Sequence, residues 1–458
     1  MKHIKILALF FVGVFISSCE SDYLEPALTS AVNGGNYFND VDELNTAVIN
    51  MYDGLQGVNS TSTNDNKATQ IEFYLTEMRS DNTRTKSQEG EAAQFEEYAV
   101  EPTNGIVANY YSSFYNVIFR ANLVLANLDV ATGAAATRIE AEAKFVRAYA
   151  YFQLVRLYGD IPLVDSVISP QDTDVTYTRV AAASIYALIK SDLATAVAGL
   201  DNTYRTRASQ AAAQALLAKV NLTTGDYAAA RALLESVVAS NNYSLEASLD
   251  DVFYNEDNNE TIFAIGYIAD GLDSQNFSAE WLNAVGRTSG VNYVTNDVIA
   301  AFNDFGGNRG ASSFRVDADQ PTQHQVTKYL PVGSDPTTAG NDWIVLRYAD
   351  VLLMHVESIL AGANETIDPA ALASFQLVRN RAGLPTVVTI VTKEGLLNER
   401  RVELAFENQR LFDLIRFGVS QEVLSTFSTG FSATDLLLPI PQREIGLSNG
   451  LLSQNPGY

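Results

Sequence analysis

Cysteine is almost absent: Cys19 is the only one in 458 residues. No internal disulfide can form, and no cysteine cluster can bind a metal. Histidine is nearly as scarce. Beyond the first residues only His324 and His355 remain, which excludes a histidine-rich metal site. Tryptophan is limited to Trp281 and Trp343. Positive charge is also short, with 30 Lys and Arg against 54 Asp and Glu, a formal net charge of −24. No basic run offsets this, so the chain repels nucleic acid and anionic membranes. Neutral or cationic ligands stay open, while strongly sulfated or acidic ones are disfavoured. Also missing are G-x-S-x-G, H-E-x-x-H, a phosphate loop and a dinucleotide fingerprint. No catalytic residue, resident metal or cofactor is therefore assigned, and the chain is not expected to be an enzyme. "NEDNNE" at 255–260 lacks the ligand order and glycine of a calcium loop and reads as a solvated acidic turn.

What is present begins around Cys19. Lys2, His3 and Lys5 make a basic start, an apolar run spans 6–16, and Ser17 and Ser18 precede the cysteine. That order is a secretory signal, too short for a comfortable membrane span of roughly 20 residues. The small residues before Cys19 resemble the bacterial lipobox, in which the thiol is acylated. Cys19 is thus the expected lipid attachment site, with residues 1–18 as signal peptide. Glu20 and Asp22, just beyond, resemble the surface-export signal of Bacteroidetes lipoproteins.

Hydrophobic residues make up 47% of the chain, enough for a large core. Helical periodicity dominates. Ala141, Phe145, Ala148, Phe152 and Val155 form one stripe, closed by Gly159 and Pro162. Upstream, Val117, Ala121, Val124 and Leu128 mark another helix. In "QALLAKVNLTTGDYAAARALLESVVAS", Gly225 and Asp226 join two helices, and the offsets of Tyr227, Ala230, Leu234 and Val237 resemble a tetratricopeptide turn. "WIVLRYADVLLMHVESILAG" predicts a helix ending at Gly362. The next helix is capped by Asp368 with Pro369 at its first position, and a third by Thr392. About 240–342 is rich in Asn, Asp, Gly and Ser, with "ETIFAIGYIA" as a short strand. Loop-rich excursions of this kind commonly carry a binding surface.

"ERRVELAFENQRLFDLIRFG" holds Glu399, Glu403, Glu407 and Asp413 beside Arg400, Arg401, Arg410 and Arg416. On one helix Arg400–Glu403, Glu407–Arg410, Arg410–Asp413 and Asp413–Arg416 would be surface neighbours. Glu403 and Glu407 could form an acid–base pair. The adjacent arginines favour a structural ion network instead, because they hold carboxylates ionised.

This segment resembles the ERR-x-E-L-A-F-E-x-x-R-x-x-D-L-x-R signature of SusD/RagB lipoproteins. "EAKFVRAYAYFQLVRLYGDIPLV", "RYADVLLMHVES", "VRNRAGLP", "LLPIPQREIGLSNGLLSQNPGY" and "TEMRSDNT" are similar to further family segments. The resemblance implies a mainly α, SusD-like fold of tetratricopeptide-like helix pairs with loop-rich excursions and a few short strands. It implies one body over 19–458: a helical part at about 36–240, a loop-rich segment at about 241–342 and a helical part at about 343–458. It further implies a lipoprotein on the exterior of the bacterial outer membrane that captures a glycan for a SusC-like TonB-dependent transporter and acts as its lid. A RagB-like peptide receptor is the alternative.

Sugar rings stack on aromatics and pair their hydroxyls with polar side chains. Two stretches fit. In "DSQNFSAEWLNAVGR", Trp281 stands with Phe277 and Asn276 among polar residues, either as a stacking platform or as a buried anchor of its loop. In "IEFYLTEMRSDNTR", Tyr74 precedes Asp81, Asn82 and Arg84. Trp343, at the head of a family segment, is expected to be structural.

Overall fold

The computed structural model describes residues 38–58, 66–85, 90–168, 178–256, 258–270, 273–282, 292–318, 320–333 and 335–458. Cys19 and the signal segment lie outside them. Eleven of the helices are labelled here: α1 (Val41–Gln56), α2 (Gly105–Ala126), α3 (Gly133–Tyr158), α4 (Ala182–Gly199), α5 (Gln210–Thr223), α6 (Tyr227–Ala239), α7 (Asn296–Phe305), α8 (Tyr348–Leu360), α9 (Pro369–Arg381), α10 (Lys393–Glu403) and α11 (Arg410–Phe417).

Most of these helices pack on their sequence neighbours. α1 lies on α2, α2 on α3, α3 on α4, α4 on α5 and α5 on α6; α8 then covers α6 and carries α9. This serial stacking matches the expected helix-pair architecture. The predicted stripe of α3 is buried from Ala141 to Val155, and Gly159 ends the helix at φ 70°. Three predicted caps are in place. Asp226 accepts from the Ala229 N–H, Asp368 from Ala370 and Thr392 from Gly395. Each satisfies an amide that the helix leaves free.

Among the described residues, eight short strands form four antiparallel pairs. They are β1 (Thr83–Thr85) with β3 (Asn292–Val294), β2 (Thr261–Ile265) with β6 (Trp343–Arg347), β4 (Phe314–Val316) with β5 (His324–Val326), and β7 (Glu365–Thr366) with β8 (Val391–Thr392). β2 is the strand expected from "ETIFAIGYIA". β6 corrects the expected helix over 343–362, because its first five residues are extended and the helix starts only at Tyr348. "WIVLR" is rich in aromatic and β-branched side chains, which suit a strand buried on both faces.

The second correction concerns the charged segment, which is not one helix. α10 stops at Glu403, the chain reverses, and α11 begins at Arg410. Phe406 and Asn408 take left-handed backbone angles, φ 68° and 59°. The fully buried Phe406 ring and the Phe406 N–H bonded to Glu77 anchor this turn. The break sends most of the expected neighbours to distant partners. Of the four pairs, only Asp413–Arg416 forms, at 2.7 Å.

The charges converge inside the protein. Arg347, at the end of β6, binds Glu407 at 2.7 Å, Glu403 at 2.6 Å and Glu260 at 2.8 Å. Lys328 reaches Glu407 at 2.6 Å, and Arg309 bridges Glu399 and Glu403 at 2.8 and 2.9 Å. Arg381 joins Glu260 and Glu403. Beside this hub, Arg400 ties Asp350 to Asp413 at 2.9 Å each, and Lys219 of α5 meets Asp350 at 2.7 Å. Burial alone would push Glu403 up, yet Arg381, Arg347 and Arg309 hold it well below the usual carboxylate range. These acids sit in a structural ion network, but its cations at Glu403 and Glu407 come from distant segments, and the network is interior rather than on the surface.

Candidate functional site

The loop at 76–85 connects the ionic interior to the surface. Glu77, Met78 and Arg79 form one 3₁₀ turn, and all three are buried. Asp81 follows and receives Arg410 at 2.7 and 2.8 Å and Arg401 at 2.8 Å. Burial raises the Asp81 carboxyl, but these two guanidiniums outweigh it and hold the group below its ordinary value. Asn82 accepts from Arg401 at 3.0 Å and donates to Glu77 at 2.9 Å, while its carbonyl accepts the Thr295 N–H. The chain then enters β1, where Thr83 is buried and Arg84 is exposed. That alternation follows from the two-residue period of a strand.

β1 pairs with β3 so that Arg84 lies opposite Tyr293. β3 packs on β5, whose partner β4 completes a cluster of four short strands. Between Arg84, β5 and the end of the helix Ser420–Phe427 lies a polar groove of about 380 Å³. Arg84, Thr295, Asn296, Asp297, Gln323 and His324 line it, with Phe427 on one side. It can offer hydroxyl, amide and guanidinium groups to a polar ligand and a ring to an apolar face. Sequence reasoning singled out Arg84 but missed Thr295–Asp297 and Gln323–His324. They come from separate segments that meet only through strand pairing, and no local motif marks them.

The other expected residues are placed differently. Trp281 is fully buried, with its ring centroid 5.5 Å from Phe73, 5.8 Å from Tyr329 and 6.0 Å from Phe406. The ring therefore anchors its segment and offers no face to a ligand in this conformation. Phe277 is also interior, packed on Tyr267, Tyr329 and Trp343. Asn276 is half-buried, and its N–H meets Gln70 at 3.3 Å. Tyr74 is half-buried against Phe73 and Phe95. Asp81 and Asn82 point inward, so Arg84 alone of the seven is exposed. Trp343 is buried, as expected for a structural residue. Among the described residues no group of His, Cys, Asp and Glu could hold a metal ion. Nor is any described helix long and apolar enough to cross a membrane.

Glu77 carries a testable consequence. Burial lifts its carboxyl to about 7, against the lowering effect of its hydrogen bonds from Asn82 and Phe406. Glu72 is lifted to about 7 by the same cause. Each group binds a proton more tightly in the fold than in the unfolded chain. Its contribution is complete below about pH 4.5 and is lost as pH rises towards 7. Stability should therefore fall over this window by roughly 1–3 kcal/mol per group. Glu77→Gln should flatten that fall in a pH series of chemical denaturation. A variant with the wild-type slope would show that Glu77 does not titrate there.

Comparison with known proteins identifies the relatives of this architecture. Residues 36–222 match a SusD-like family described as starch-binding and associating with the outer membrane, and residues 318–458 match the SusD family. SusD-like protein P38 of Formosa agariphila is 25% identical over 99% of this chain and 98% of its own length. SusD-like protein P2 of the same organism is 27% identical over 81% of this chain and 84% of its own. Among solved structures, a laminarin-binding SusD-like protein superposes with a TM-score of 0.78 at 25% identity, covering 92% of this chain and all of the other. Surface glycan-binding protein A of Bacteroides thetaiotaomicron, solved with laminarihexaose, gives a TM-score of 0.77 at 21% identity over 90% of this chain and 99% of its own. With the stacked helix pairs, the four strand pairs and both family matches in agreement, the chain belongs to the SusD/RagB family.

Proposed function

We propose that this protein captures a neutral oligosaccharide in the groove beside Arg84 and delivers it to a SusC-like TonB-dependent transporter, acting as the lid. In this reading an acylated Cys19 anchors it to the outer membrane, facing the exterior. The carrying observation is the groove itself. An exposed guanidinium on β1 stands beside hydroxyl and amide side chains that flank the paired strands, and Phe427 supplies a ring. Sugar hydroxyls accept from Arg84 and pair with Asn296, Thr322 and Gln323. The net charge of −24 and the polar lining suit a neutral ligand. Relatives that bind laminarin and laminarihexaose favour a glycan over a peptide.

The groove suits binding rather than bond cleavage. Glycoside hydrolysis commonly uses two carboxylates flanking the scissile bond. Among the described lining residues only Asp297 carries one. The acid-rich segment at 399–413 cannot supply a second, because its carboxylates are buried in ion pairs.

Laminarihexaose is the probe for a calorimetric test. Arg84→Ala should weaken binding by roughly 1–3 kcal/mol, the scale of hydrogen bonds to a charged group. Melting should change little, because the side chain is exposed. Unchanged affinity would remove the groove from the account. In cells, fatty-acid labelling should mark the wild type but not Cys19→Ala; label on both would place the anchor elsewhere.

A further inference from the structure

Two adjoining hollows of about 600 and 470 Å³ share Thr206, Glu256, Val332, Gly340 and Asp342 and so form one cleft. It has no lining residue in common with the Arg84 groove. α1 forms one side of the larger hollow, the chain leaving β2 another, and the segment leading into β6 closes it. Gly266 keeps its floor open: a Cβ there would come no closer than 3.7 Å to Asp342 and 3.8 Å to Thr206. Three aliphatic side chains from three separate segments line the larger hollow while facing water. Ile49 is 60% exposed, Ile268 62% and Val332 43%. Exposed apolar groups gathered around one cleft mark an interaction surface.

The charge of the lining has one sign. Asp53, Glu256, Asp273 and Asp342 line the larger hollow, which has no Lys or Arg. Asp53 is matched by Arg120 at 2.6 Å, and Asp342 accepts the Tyr267 N–H at 2.9 Å. Glu256 and Asp273 are exposed, and their carboxylates enter no ion pair among the described residues. The smaller hollow has one cation, Arg205, and it is spent. Its guanidinium donates to the Thr261 carbonyl at 2.6 Å and lies over the Tyr243 ring. The tyrosine hydroxyls are spent as well. Tyr52 donates to Glu142 at 2.9 Å, Tyr267 to the Gln56 carbonyl at 2.7 Å, and Tyr254 to the Thr327 carbonyl.

We infer that this cleft docks a protein segment that carries Lys or Arg between aliphatic side chains. An anion is repelled by the carboxylates. A metal ion is not suited, since among the described residues no group of His, Cys, Asp and Glu could hold one. A saccharide meets an aliphatic rim where it needs a ring face, and the tyrosine hydroxyls are already bonded. A purely aliphatic segment covers Ile49, Ile268 and Val332 but strips water from Glu256 and Asp273 without compensation. A basic, aliphatic segment answers both needs. Its ammonium or guanidinium pairs with Glu256 and Asp273, while its stem and neighbours cover the rim. The inference goes beyond the Arg84 groove and does not rest on it.

The test uses fluorescence anisotropy on the purified protein with a dye-labelled peptide, Leu-Lys-Leu-Arg-Leu, and with the same peptide carrying Gln at both basic positions. The basic peptide should bind about fivefold more tightly than the Gln peptide at low salt, the equivalent of two exposed ion pairs. Glu256→Gln combined with Asp273→Asn removes both charges at constant shape and should abolish that difference. Ile268→Ser should weaken both peptides about threefold, through lost apolar contact. All three side chains are exposed, so melting should not move, and matched melting curves check this. If Ile268→Ser melts lower, the charge variant decides alone. A control, Glu97→Gln combined with Glu394→Gln, removes two exposed acids elsewhere and should bind as the wild type does. Arg84→Ala should do the same. Absent binding, equal binding of the two peptides by the wild type, or an equal loss in either control overturns the inference. Binding of a glucosamine hexamer in place of the peptide overturns it as well.

Discussion

The rest of the structure depends on the enclosure of Glu403 and Glu407 by cations. Three arginines and a lysine come from four separate places: Arg309 after α7, Lys328 after β5, Arg347 at the end of β6 and Arg381 at the end of α9. None of these segments is near another in sequence, and Glu260 adds a fifth. Each ion has been taken out of water at a cost of several kcal/mol. The pairs therefore need not add net stability, but they penalise any arrangement that separates the partners. Two of these cations come from the loop-rich middle of the chain, which the hub thereby locks to the C-terminal helices.

The same segment reaches the candidate site by a short path. Arg401 and Arg410, on either side of the left-handed turn, both hold Asp81. Asp81 and Asn82 fix the loop that leads into β1, and Arg84 is two residues further on. Asn82 also receives the Thr295 N–H, which sets the start of α7 and one wall of the groove. The exposed guanidinium thus projects from a strand whose base is held by charge, which would reduce the ordering cost of the proposed binding.

Much of the scaffold is legible in the sequence. Helical periodicity and the caps at Asp226, Asp368 and Thr392 locate most helices, and the mix of arginines and acids signals an ion network, though not its partners, since only Asp413–Arg416 of the four expected pairs forms. Three features are not legible. Nothing local in "ELAFENQ" announces that Phe406 and Asn408 turn left-handed, because the cause is tertiary: Glu77 and a buried aromatic cluster fix the turn. The polar setting of Trp281 misleads for a related reason. Its neighbours are spent internally, since Gln275 donates to Ser278 at 2.7 Å and Ser278 lies 3.4 Å from Asn341. Polar residues around a tryptophan resemble a binding site in sequence, yet here they satisfy one another beneath the surface. The Arg84 groove is assembled from residues hundreds of positions apart, so only its first member is visible locally.

The central claim is that the acids of 399–413 organise the fold and do no chemistry. Glu407→Ala tests it most directly, because it strands Lys328 and takes one of three carboxylates from Arg347 without touching the Arg84 groove. The account predicts a loss of roughly 3–5 kcal/mol in chemical denaturation, with unchanged laminarihexaose affinity per folded molecule. A variant that keeps full stability and loses the saccharide would contradict it.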